Sequence, residues 1–74
     1  MATLYDVFVM ETETSERALI AAAVSLTAPG LLATLAERDA SGETAPICAY
    51  PTGVAPEKAT EAWTWVGGWE AMEL

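Results

Sequence analysis

Residues 18 to 36, ALIAAAVSLTAPGLLATLA, carry no charge, and Arg17 and Glu37 close the run at either end. As one continuous helix rising about 1.5 Å per residue, a run of this length would just cross a hydrocarbon core. Pro29 and Gly30 interrupt it. A membrane span needs about twenty predominantly apolar residues; the two pieces are each too short, and the first is largely weakly hydrophobic alanine. The run is therefore read as core elements of a small domain, with no membrane association expected.

The 74 residues leave room for one domain, spanning 1–74, near the lower limit at which a hydrophobic core alone holds a chain together. A hydrophobic content of 53% is too high for a disordered chain despite a net charge of -8. A single cysteine, Cys48, excludes an internal disulfide and suits a reducing compartment. The opening stretch MATLYDVFVMETETSER lacks a basic n-region and soon reaches acidic residues, unlike a secretory or transit peptide. A cytoplasmic location is expected.

From Thr3 to Glu11 two mostly apolar sets alternate, Tyr5, Val7 and Val9 against Leu4, Asp6, Phe8 and Met10, which predicts a strand. Thr14 or Ser15 can then cap a helix with Glu16 in its first turn. Leu19, Ala22, Ala23 and Leu26 fall at i, i+3, i+4 and i+7, so a helix ending near Thr27 is predicted. Residues 31–38 and 44–51 read as a hairpin turning at Asp39, Ser41 and Gly42. Pro46 and Pro51 push its second strand toward a sheet edge or a short central segment.

The last third has two readings. In the preferred one, Pro56 and Glu57 start a helix that buries Ala55, Ala59, Ala62, Trp63 and Val66 and stops at Gly67; a strand from Trp69 to Leu74 follows. In the other, WTWV-GG-WEAM is a β-hairpin turning on the glycine pair. The preferred order is strand, helix, strand, strand, helix, strand. That is an α+β, ferredoxin-like βαββαβ arrangement, an antiparallel sheet with two helices on one face.

An enzyme is disfavoured. With no histidine in the chain, the usual base for activating a nucleophile or ligating zinc is missing. Cys48 has no sequence partner to lower its pKa and is expected to be buried and inert. Asp6 is the carboxylate best placed for partial burial, and it is expected to face solvent or cap a backbone group. The glycines form no phosphate-cradling loop, so no cofactor and no metal are expected.

Trp63, Trp65 and Trp69 lie within seven residues. In the helical reading Trp63 faces inward and Trp65 outward, and aromatic anchors of that kind dominate protein interfaces. The acidic residues cluster as Glu11, Glu13 and Glu16, as Glu37, Asp39 and Glu43, and as Glu57, Glu61, Glu70 and Glu73. Such a surface repels nucleic acid and anionic lipid and attracts a basic groove.

In size, acidity and lack of catalytic groups the chain resembles small phage-encoded inhibitors such as anti-CRISPR proteins, a likeness that covers no motif and carries over no residue roles. The expectation is a non-catalytic acidic inhibitor whose carboxylates replace phosphates on the basic surface of a partner such as a nucleic-acid-binding complex. It would use Glu11, Glu13, Glu16, Glu37, Asp39 and Glu43, with Trp65 or Trp69 as apolar anchor. The alternative is a structural or oligomerising module, a homodimer through the sheet edge or the open sheet face.

Overall fold

The computed structural model describes residues 3–11 and 16–73. The chain forms β1 (Tyr5–Glu11), β2 (Glu16–Val24), α1 (Pro29–Ala40), β3 (Ile47–Pro51), β4 (Trp63–Trp65) and β5 (Trp69–Ala71), with a short 3₁₀ turn at Pro56–Lys58. One antiparallel sheet runs in the order β2-β1-β3-β4-β5. Among the described residues α1 is the only α-helix, so the ferredoxin-like arrangement with two helices on one face is overturned. The strand expected from residue 3 to 11 is β1.

The first helix of the expected order is strand β2. Its pairing with β1 is irregular at two places: Val7 opposes Ala21 while Phe8 opposes Leu19, and Tyr5 opposes Val24. Each irregularity inserts an extra residue, as a β-bulge does. The residues that return to the covered side are therefore Ala18, Ala21 and Val24, each half-buried while the strand residues between them are exposed. A bulged strand with a three-residue return imitates the spacing of a helical stripe. The second bulge carries Ala23 at φ 53, a left-handed conformation that a side chain disfavours.

The expected strand 31–38 is the heart of α1. Pro29 does not stop a helix; it starts one, at a position where its missing N–H costs nothing and its fixed φ suits the first turn. Leu31 and Leu35, one turn apart, bury their side chains. The expected turn at Asp39, Ser41 and Gly42 is the helix C-terminus. The Gly42 N–H donates to the Asp39 carbonyl at 3.2 Å and the Glu43 N–H to the Arg38 carbonyl at 3.1 Å, with Gly42 at φ 80. This is the Schellman arrangement, in which a left-handed residue lets the chain reverse and satisfy the last carbonyls.

The crossover from β2 through α1 returns the chain beside β1 as β3, a short central strand. Pro46 lies just before β3 and offers its carbonyl to the Met10 N–H at 2.9 Å. The preferred helix near residues 56–66 is also absent: Pro56 opens only three residues of 3₁₀ turn, and the chain then forms the β4–β5 hairpin. Its loop is Val66, Gly67 and Gly68, closed by the Val66 N–H on the Gly68 carbonyl at 3.0 Å and by Gly67 at φ 76.

The core lies between α1 and one sheet face. Val7, Leu31, Leu35, Ile47 and Ala49 form its buried centre, ringed by residues including Tyr5, Val9, Trp63, Trp65 and Trp69. Because residues two apart on a strand share a face, Trp63 and Trp65 both point to the helix, against the expectation that they diverge. The opposite face holds a second cluster of Cys48, Tyr50 and Ala62, with Phe8, Ala59 and Met72 beside it. Ala59 and Ala62, expected on a helix, instead come from the segment that covers this face. No helix among the described residues is long and apolar enough to cross a membrane.

Candidate functional site

The topology carries several acidic positions to one end of the sheet. β1 ends there and β2 begins there, with Glu11 opposite Glu16 in the register. Val9 opposes Ile47 and Met10 bonds to Pro46, so the segment leading into β3 lies at the same end. α1 runs down to it with Glu37 and Asp39 in its last turns, and the Schellman reversal sets Glu43 back against Arg38. Glu16, Glu37, Asp39 and Glu43 are exposed. Glu13 lies outside the described residues, and of Glu11 the backbone alone is described.

A cleft of about 250 Å³ opens at this end between the helix C-terminus and β4. Its lining includes Arg38, Asp39 and Glu43 from the helix end and its reversal, Pro46 and Ile47 at the start of β3, and Thr64, Trp65 and Val66 from β4 and the loop after it. Trp65 is tied across it: its indole Nε1–H donates to Asp39 Oδ2 at 2.9 Å. Arg38 Nη2 stands 3.9 Å from Glu43 Oε2, an ion pair but too long for a hydrogen bond. Arg38 Nε is buried and finds no acceptor among the described residues.

Trp69 sits opposite Trp65 in the hairpin, the rings meeting edge to face at 5.3 Å and 74°. Its Nε1–H donates to the Leu26 carbonyl at 2.8 Å. One indole thus holds the chain before α1 and the other holds the last turn of α1. Both are half-buried members of the core surround, with Trp65 also walling the cleft. Trp63 Nε1 is buried without a partner among the described residues.

Asp6 is a structural acceptor. Its Oδ1 takes the Ala23 N–H at 2.9 Å and the Thr52 hydroxyl at 2.8 Å, so one carboxylate links the second bulge of β2 to the end of β3. Cys48 is buried and free, and burial pushes its thiol pKa up, against the opposing pull of Arg17 and a hydrogen bond with Tyr50. Arg17 itself stacks over the Tyr50 ring, 5.5 Å from its centroid. No group of three or more metal-ligating side chains gathers among the described residues.

Sequence reasoning singles out Asp39, Glu43 and Trp65 without placing them together. It does not single out Arg38 or Thr64, and it expects Val66 on the buried face of a helix, whereas Val66 is 62% exposed in the β4–β5 loop. These six come from a helix end, a reversal, a strand and a hairpin loop, so no spacing along the chain signals their meeting. No family model, no curated protein and no solved structure matches the chain.

Proposed function

We propose that this protein is a non-catalytic, acidic interaction protein that occupies a basic, nucleic-acid-binding surface of a partner, acting as a phosphate substitute in a cytoplasmic setting. The observation that carries this reading is that Glu16, Glu37, Asp39 and Glu43, all exposed, lie at one end of the sheet. Carboxylates held on a folded end present fixed negative charge without the ordering cost of a flexible acidic tail, and opposite charge steers association. A net charge of -8 on 74 residues repels nucleic acid itself.

The test is affinity capture with the intact chain from native host lysate at low and moderate salt, followed by displacement with added DNA. Recovery of a nucleic-acid-binding protein that is lost as salt rises and competed off by DNA is the expected result. A captured partner whose binding ignores both salt and DNA would overturn the reading.

A second reading, self-association through the β2 part of the sheet face away from the helix, is favoured by one feature. Leu19 is 54% exposed and lies opposite Phe8 on the face away from the helix. Sedimentation at micromolar concentration separates the two, since a monomer removes the second reading.

A further inference from the structure

We propose that the cleft at the end of α1 is a socket for a single arginine side chain of the partner. The inference rests on the reading above and names the point of contact within it. Three features of the cleft converge on a guanidinium. Trp65 supplies an aromatic wall, and flat guanidinium groups stack on such rings more readily than ammonium groups do. Glu43 stands at the rim, its side chain 56% exposed, and a carboxylate can take two parallel N–H bonds from arginine. Asp39 is oriented by the Trp65 indole through one oxygen, which leaves its other oxygen as a further acceptor. Ile47, Pro46 and Val66 complete an apolar lining suited to the methylene stem that arginine buries beneath its charged head.

Arg38 is the resident competitor. It lies within 3.9 Å of Glu43 without a hydrogen bond to it, and its own Nε has no acceptor among the described residues. An incoming guanidinium that makes two short bonds to Glu43 replaces a contact that makes none. Removing the Arg38 charge therefore strengthens binding of a cationic ligand, the reverse of what a protein with so few cations would show if Arg38 served the partner directly.

The experiment titrates the full chain with a capped hexa-arginine peptide and with a capped hexalysine peptide, following the three indole N–H signals by NMR. The expected result is a selective shift of the Trp65 indole signal and tighter binding of hexa-arginine. Glu43→Gln weakens binding by about threefold and Arg38→Gln strengthens it by a similar factor. Glu57→Gln, which removes one charge elsewhere, serves as the matched control. If Glu43→Gln and Glu57→Gln weaken binding equally, or the Trp65 signal stays still, the contact is diffuse and the socket is overturned while the basic-partner reading stands. If neither peptide binds at low salt, both fall. Glu43 is a surface side chain, and unchanged spectra of the free variants confirm that they fold.

Discussion

Asp6 Oδ1 accepts the backbone N–H of Ala23 at 2.9 Å, and Ala23 is the one described non-glycine residue with a positive φ. The two facts belong together. The bulge that lets β2 return its alanines to the core turns Ala23 into a left-handed conformation, and the carboxylate rewards that turn with a charge-assisted bond.

Ala23→Gly is accordingly expected to stabilise the fold, because glycine adopts the left-handed region without the ~1 kcal/mol a Cβ costs there. Asp6→Ala is expected to lose about 1–2 kcal/mol through the bonds to Ala23 and Thr52. Urea unfolding midpoints read both; a destabilised glycine variant would count against strain at this position.

The tie between Trp65 and Asp39 is expected to contribute about 1 kcal/mol. Trp65→Phe and Asp39→Ala should each cost roughly that much, and the double variant less than their sum, because either change alone already breaks the bond. Additive losses in a double-mutant cycle would show that the bond does not hold the helix end.

Leu35 is fully buried, and Leu35→Ala should cost about 2–5 kcal/mol by opening a cavity between helix and sheet. Leu19, more than half exposed, should tolerate alanine within about 0.5 kcal/mol in a monomer. Thermal unfolding of the pair distinguishes the helix-covered face from the exposed edge strand β2.

Burial raises the Cys48 thiol pKa, so the folded state keeps its proton to higher pH than the unfolded chain does. Its stabilising contribution is full below the ordinary thiol range, near about 8.5, and declines as pH rises through and beyond it. The wild-type protein should lose stability over that interval more steeply than Cys48→Ala. Thiol reagents at neutral pH should modify Cys48 only as the protein unfolds.

Glycine at position 67 is required by its φ of 76 in the β4–β5 loop. Gly67→Ala is expected to cost about 1 kcal/mol, seen as a lower melting temperature and weaker amide protection at Trp65 and Trp69. An unchanged melting temperature would mean that the loop adapts without strain.

β1 is legible because alternation of apolar residues on two faces has only one regular explanation. β2 misleads because bulges convert a period of two into a return of three, which belongs to helix spacing as much as to a kinked strand. Pro29 misleads because proline ends one element and begins another with equal ease. The WTWVGGWEA segment carries both a helix start upstream and a hairpin turn inside it. The hairpin prevails because it places all three tryptophans on the helix-covered face, which a helix over Trp63 and Trp65 does not. Of the proposed site, the residue types are legible but their assembly is not, since it depends on where α1 ends.

The sequence by itself determined a small acidic chain without an internal disulfide, a first strand facing apolar neighbours on both sides, a buried cysteine and an apolar run cut at Pro29-Gly30. Tertiary structure decided which side of that cut is strand and which is helix. Alanine favours helix intrinsically, but by only roughly a few tenths of a kcal/mol per residue over most others, and a helix this short is marginal without tertiary packing. Residues 16–24 therefore take the conformation that completes the sheet beside β1, and Leu31 and Leu35 become helical because that is how both reach the same core.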